Sequence, residues 1–433
     1  MDRRSARRVC DHAALEVPLR RQPDGMGAVQ RLSLRPGRHD LVLVRAARTA
    51  AGTEGMTIAM IDVLVVGAGF GRDFLHLYQS HPAVGAVGLV EPDALVRREV
   101  VDAYGLDGEY ASLDDALTSG RWDAVHLLSP VRFHVEQTLA VLESGRSCAS
   151  AVPMATSLDG IARVRDATAS AAGCYMMMET ALYQREYLHA LHLRDSGALG
   201  RITYLSGAHM QDLDGFPPYW MGYAPMQYAT HIVAPILGLA NAHAESVACL
   251  GSGELLPSHR GDGSNPFPLE TALFQLDGET PLAAQVTLSF FENARAYTEG
   301  FNVYGDMGAL EWPSVEGERA VIYTAGPQDG ARRGRPISRD EIDVPDRVDT
   351  LPPELRAYVR PGVYQPPGDR PTLPVHAWHG GSHPHLVREF VSAVTGGRES
   401  AIGAARAASI TAPGIVAHHS ALRGGRMLTI PRF

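Results

Sequence analysis

The chain contains no lysine: every one of its 39 basic residues is an arginine. That absence excludes Schiff-base chemistry, a phosphate-binding P-loop lysine and a lysine general acid. Proton transfer is left to His, Tyr, Asp, Glu or Cys. Cysteine is scarce too, with Cys10, Cys148, Cys174 and Cys249 far apart and no CxxC pair. Neither a zinc ribbon nor a disulfide scaffold fits, and a reducing cytoplasm is the expected setting. No run of 18 apolar residues occurs, so no membrane span is expected. Positive charge is also lacking overall, since the net charge is −9. That disfavours a nucleic-acid binder, whose affinity rests on phosphate neutralisation.

What is present reads as globular, with 45% hydrophobic and 20% charged residues. At about 100–200 residues per domain, 433 residues suggest two or three domains. Residues 1–58 are set apart as an Arg-rich extension. Its first 55 residues hold eleven arginines against six acids, with no apolar segment after Arg3-Arg4 to make a secretory signal. It is read as dispensable, consistent with an over-long start-site assignment.

From Ile61 onward, short apolar runs alternate with helical periodicity. The runs are Ile61–Val66, Val84–Val90, Ala124–Leu128, Cys148–Val152 and Cys174–Met178. Continuous apolar strands separated by helices predict a buried parallel sheet covered on both faces, here residues 59–178. Asp93 and Ser157 mark helix starts. After 179, strand-like segments arrive without intervening helices, so residues 179–372 predict an α+β domain with a large, mainly antiparallel open sheet. Within it, 325–372 is rich in Pro, Gly and Arg and reads as a surface excursion. Residues 373–433 return to helical periodicity and are expected to pack back on the body.

The first strand runs into Gly67-Ala68-Gly69-Phe70-Gly71-Arg72 and then a helix. Glycines there permit a tight turn and close approach of backbone N–H groups to a pyrophosphate at a helix N-terminus. Glu91, ending the second strand, is placed to hold ribose hydroxyls and to repel a 2′-phosphate, so NAD is expected over NADP. Arg72 stands where the fingerprint has Gly or Ala.

Further on, Ser129-Pro130-Val131-Arg132-Phe133-His134, Asp195–Ile202, Tyr304–Gly308 and Ser420–Pro431 occur in an order that resembles the Gfo/Idh/MocA oxidoreductases, relatives of glucose–fructose oxidoreductase and inositol dehydrogenase. The resemblance covers about residues 60–433. It implies a Rossmann domain holding NAD through Gly67, Gly69, Phe70, Gly71, Glu91, Ser129, Pro130, His134 and Pro153. It also implies a second domain for substrate and oligomer contacts, and sugars, cyclitols or related polyhydroxylated molecules as substrates. A homo-oligomer, dimer or tetramer, is expected, with no nucleic-acid or membrane partner.

The chain departs from this family where its chemistry is usually done. The Glu-Lys-Pro signature reads Ala151-Val152-Pro153, and D-x-G-x-H reads Gln227-Tyr228-Ala229-Thr230-His231. Only the histidine survives of three polar catalytic groups. His231 is the expected acid–base, with a pKa near 6.5 suited to either direction. On one helix it would share a face with Gln227 and Tyr228, either of which could orient its ring. It could alternatively be a satisfied core histidine. Glu179 and Tyr183 are candidate catalytic groups or an interface hydrogen-bond pair. His209 is a candidate substrate contact, and Tyr219 and Trp220 could stack on a sugar or simply pack.

A branch of the family shares the Met178–Glu186 and His379–Val387 runs. His379, His383 and His385 do not suit a metal, because Gly380-Gly381 and Pro384 break a continuous helix and no acid or Cys completes a set. A loop at the site mouth, with His383 touching substrate, or a helix starting near Ser382 fits better. The leading expectation is an NAD-dependent oxidoreductase acting on CH–OH groups. Two alternatives stand: a redox-neutral NAD-dependent glycosidase or epimerase, and a non-catalytic nucleotide sensor.

Overall fold

The computed structural model describes residues 60–433 apart from 262–264, 279, 314, 316, 329 and 331–333. The 1–58 extension lies outside the described residues. No helix among the described residues is long and apolar enough to cross a membrane.

Strands β1 (Ile61–Val66), β2 (Val84–Val90), β3 (Gly108–Tyr110), β4 (Ala124–Leu127), β5 (Ser147–Ser150) and β6 (Tyr175–Met177) form one parallel sheet in the order β3-β2-β1-β4-β5-β6. The apolar runs read from the sequence are these strands. Val63, Leu64 and Val65 are fully buried, as a strand covered on both faces requires. Between the strands lie α1 (Arg72–Ser80), α2 (Ala94–Tyr104), α3 (Leu113–Thr118), α4 (His134–Glu143) and α5 (Leu158–Ser170). The helix starts follow the capping residues: Asp93 accepts from the N–H groups of Leu95 and Val96, and Ser157 from that of Gly160.

Helix α6 (Arg185–Asp195) leads into a nine-stranded sheet. Its strands are β7 (Ile202–Met210), β8 (Ala244–Ser252), β9 (Leu269–Leu276), β10 (Leu282–Ser289), β11 (Thr298–Gly305), β12 (Gly308–Glu311), β13 (Ala320–Ala325), β14 (Ile337–Ile342) and β17 (Leu428–Thr429). The order is β14-β13-β12-β11-β7-β10-β9-β8-β17, antiparallel throughout except for the parallel β7/β10 pair. Helix α7 (Thr230–Ala240) is buried along nearly its whole length. Helices α8 (His383–Thr395) and α9 (Ala404–Ala421) follow, and Ile402 just before α9 accepts from the Met177 N–H of β6. The two sheets are thereby joined in one body.

Residues 325–372 are not simply a surface excursion. They supply β14 and β15 (Gly362–Tyr364), which pairs with β16 (Leu373–Val375) just beyond them, and they bury Leu351, Leu355, Val359 and Tyr364. The segment is fastened to α1: Tyr358 and Ser80 share a hydrogen bond of 3.2 Å, and Tyr364 donates to Gln79 Oε1 at 2.9 Å. Pro and Gly set its turns. Its anchors Leu351, Leu355 and Val359 keep an i, i+4, i+8 spacing around the short 3₁₀ turn Pro353–Val359, but the surrounding Pro and Gly residues mask so brief a pattern.

Candidate active site

The glycine loop follows from β1 meeting α1. Gly67 has φ +99°, and a Cβ there would sit 2.8 Å from the Leu128 carbonyl oxygen, so no other residue fits the turn. Gly69 has nothing within 4 Å of its would-be Cβ, leaving room for a ligand to approach the backbone. No side chain caps α1, so its N-terminal N–H groups remain available to a phosphate. Glu91 is held rigidly at the loop's edge: its Oε2 accepts from Ala68 N at 2.9 Å and its Oε1 from Asp93 N at 3.0 Å. Arg72 is tied back, donating to Ala68 O and pairing with Glu99 at 3.0 Å. These features fit a dinucleotide.

A cavity of about 960 Å³ opens from this loop and reaches the second sheet. Gly69, Phe70, Ser129, Pro130 and His134 line one end; His209, Trp220, Tyr228 and His231 line the other. Buried His134 bridges two loops, with Nδ1 2.8 Å from Pro153 O and Nε2 3.0 Å from Ser129 O. It therefore positions the cavity wall. Val152, in the place of the family's lysine, presents only an apolar surface to the same cavity.

His231 is 4% exposed at the start of α7, and its Nδ1 lies 2.6 Å from Glu179 Oε1. Glu179 is fully buried and reaches the ring from the turn after β6, where Oε1 also accepts from Ala181 N. Thr180 Oγ1 lies 3.2 Å from the same ring nitrogen, leaving Nε2 as the atom for a ligand. Burial pulls the imidazole pKa down, but the carboxylates of Glu179 and Glu299 outweigh it and hold it up to about 9. The two carboxylates thus favour the imidazolium form over the evenly poised group expected from residue type.

Glu299 is a buried hub that sequence reading overlooked. It accepts from Gln184 Nε2 at 2.8 Å and from the Tyr297 hydroxyl at 2.6 Å, and it pairs with His379 Nδ1 at 3.3 Å. Burial favours its neutral form, yet His231 and His379 hold its carboxyl well below the usual range. One signal was available: on β11, Glu299 shares the inward parity of Phe301 and Val303. A carboxylate on an otherwise apolar strand face marks a built polar site.

Several expected partners lie elsewhere. Gln227 and Tyr228 belong to a separate 3₁₀ turn, Pro225–Tyr228, so the shared helix face does not exist. Gln227 Nε2 is 3.4 Å from Thr156 O and faces a second cavity of about 290 Å³; Glu179 takes the orienting role instead. Tyr183 stacks on His385 with ring centroids 6.2 Å apart and does not pair with Glu179. His383 does begin a helix, with Ser382 before it, but it is buried and stacked on Phe74 at 4.4 Å, outside the cavity. His209 is 2% exposed, lines the cavity and has no hydrogen-bond partner at either ring nitrogen among the described residues. Burial pushes its pKa down to about 4. No group of His, Cys, Asp or Glu among the described residues could hold a metal.

Comparison with known proteins follows this geometry. Residues 61–179 match the model of the Gfo/Idh/MocA family, an oxidoreductase family with an NAD-binding Rossmann fold. A glycosyl hydrolase family 109 protein of Phocaeicola vulgatus is 22% identical over 248 residues, covering 54% of this chain and 49% of that protein. 4-Carboxy-2-hydroxymuconate-6-semialdehyde dehydrogenase of Sphingobium sp. is 25% identical over 178 residues, covering 40% and 56%. The chain thus spans about half the length of these curated relatives. Levoglucosan dehydrogenase in complex with NADH and levoglucosan superposes with a TM-score of 0.69 at 15% identity, covering 86% of this chain and 100% of that one. myo-Inositol 2-dehydrogenase from Lactobacillus plantarum gives 0.63 at 15% identity, covering 86% and 100%. At such identity the likeness establishes the fold.

Proposed function

Through residues 61–179 the chain belongs to the Gfo/Idh/MocA oxidoreductases, with their NAD-binding Rossmann domain, and from that premise we propose an NAD-dependent oxidoreductase acting on a CH–OH group of a sugar, cyclitol or related polyhydroxylated molecule. One observation carries this reading: a carboxylate-held imidazole, His231, lines the same cavity as the glycine loop. Bound NAD would supply the two-electron acceptor or donor. His231 moves the proton at the substrate oxygen. In the reductive direction the imidazolium gives its Nε2 proton to the carbonyl oxygen. In the oxidative direction it must first be deprotonated, so turnover rises with pH toward its pKa.

His209, kept neutral, offers one ring donor and one acceptor to substrate hydroxyls. Trp220 and Tyr219 provide aromatic faces beside it. Leu250 and Leu273, 60% and 55% exposed on the open sheet, supply apolar surface for a homo-oligomer. The test is a panel of sugars and cyclitols assayed for NADH formation. Turnover of at least one member supports the reading, and none with any member sinks it.

The similarity to glycosyl hydrolase family 109 proteins favours one second reading, in which redox is internal and the net reaction is hydrolytic or isomerising. NAD that co-purifies, with product formed and no net absorbance change, would select it.

Two expectations belong to this reading. Glu91, fixed by two backbone N–H groups, excludes a 2′-phosphate, and Arg97 cannot compensate, because it is committed to the Glu91 carbonyl at 2.6 Å and to Glu109 at 3.5 Å. NAD should bind at least about tenfold tighter than NADP, as one repelled charge of about 1.4 kcal/mol implies. Equal dissociation constants by calorimetry would contradict this. Next, Glu179→Gln removes the nearest anion, so the His231 pKa should fall by about one unit or more. The corresponding limb of the pH–rate profile, or the ¹⁵N-histidine titration, should move to lower pH. An unmoved limb assigns the titration to another group.

A further inference from the structure

The turn Trp378–Gly381 contains His379 with φ +51°, preceded by Ala377 at +51° and followed by Gly380 at +59° and Gly381 at +74°. Left-handed backbone at a non-glycine residue costs about 1–2 kcal/mol, so something must hold two such residues there. Gly381 passes so close to Val359 that a Cβ would lie 2.3 Å from its carbonyl oxygen. This approach turns the chain back and delivers the His379 side chain into the cavity.

There the ring stacks on that of His231, with centroids 5.6 Å apart and planes 28° apart, while Nδ1 is held by Glu299. The two histidines are built alike: each has Nδ1 on a buried carboxylate, and both line one cavity. They differ in access to water, since the His379 side chain is 21% exposed and that of His231 4%. Phe70 of the glycine loop meets the His379 ring edge-on at 6.1 Å. The other titratable groups near His379 are Asp73 on α1, His209 on β7 and His383 on α8.

We propose that His379 is the proton shuttle of this site, passing protons between buried His231 and solvent. The proposal rests on the acid–base role of His231 given above. In the oxidative direction the hydroxyl proton goes to His231 Nε2. From there it passes through a bridging water to the free nitrogen of His379 and on to bulk buffer. The reductive direction runs the same path backwards, so one proton is exchanged with solvent per turnover. Glu299 stabilises the cation on either ring, being 3.3 Å from His379 Nδ1 and 4.0 Å from His231 Nδ1. A shuttle is needed here because His231, flanked by two carboxylates and capped by substrate, releases its proton reluctantly at neutral pH.

The test uses His379→Asn, because asparagine tolerates left-handed backbone, together with His379→Gln. Both are assayed on the full chain with whichever panel member turns over. In dilute buffer, kcat should fall about tenfold or more with KM within about twofold. Added imidazole should restore kcat in a concentration-dependent way, whereas the wild type should ignore it. Unchanged NAD affinity and melting temperature serve as the folding control. Wild-type kcat in both variants, or a loss that imidazole does not rescue, overturns the shuttle. Normal turnover of His231→Ala overturns instead the reading on which the shuttle rests.

Discussion

Replacing His231 with alanine is expected to lower turnover by about 10²–10⁴-fold, the usual range for removing a general acid–base, while NAD affinity stays nearly unchanged. The asymmetry follows from placement. His231 sits on α7 with its ring held by Glu179, whereas the glycine loop that would hold the dinucleotide belongs to the β1–α1 turn. A lysine cannot take its place: the chain has none, and Val152 occupies the position where the family carries one. Tyr183 is packed on His385 away from the cavity, and burial raises its pKa, so Tyr183→Phe should cost far less. Steady-state kinetics beside calorimetry of NAD binding checks both halves. Near-normal turnover of the alanine variant would make His231 a packing residue.

Acidification should unfold the protein abruptly between pH 6.5 and 4. Burial pushes His76, His81, His209 and His385 down to about 4 and His126 to about 3. All five have folded pKa values below the unfolded value. Below pH 6.5 the unfolded chain therefore binds protons that the native state refuses, and stability is lost as pH falls. Each group costs on the order of 2 kcal/mol by pH 4.5. Five together rival the whole stability of an ordinary domain, about 5–15 kcal/mol. His231 works the other way: its raised pKa contributes stability that is complete below 6.5 and lost as pH rises through about 9. One such group cannot offset five. Melting temperatures between pH 7 and 4.5 should fall steeply, and a flat profile would contradict the burial of these rings.

The Rossmann half was legible because its signals are local. Continuous apolar strands, Asp93 and Ser157 as caps, and the Gly67–Gly71 turn, where a Cβ at Gly71 would meet the Gly67 carbonyl, each act within a few residues. The family resemblance added the histidine of the second signature. The arrangement around that histidine was not legible, because it is assembled across the sequence. Glu179 reaches His231 from the turn after β6, Glu299 arrives on β11, and His379 comes from a turn near the other end of the chain. Helical spacing suggested Gln227 as the orienting partner, but Pro225 starts a separate 3₁₀ turn and the spacing argument fails. The pKa of His231 could not be read from residue type, since it depends on which carboxylates the fold places against one ring.

A structure of the protein with NADH and a turned-over polyol bound would test the central claim most directly. The account requires the reacting hydroxyl within about 3 Å of His231 Nε2, with Glu179 still on Nδ1 and Val152 making only apolar contact. A hydroxyl seated instead on Glu299 or His209, with no polar group near His231 Nε2, would contradict it.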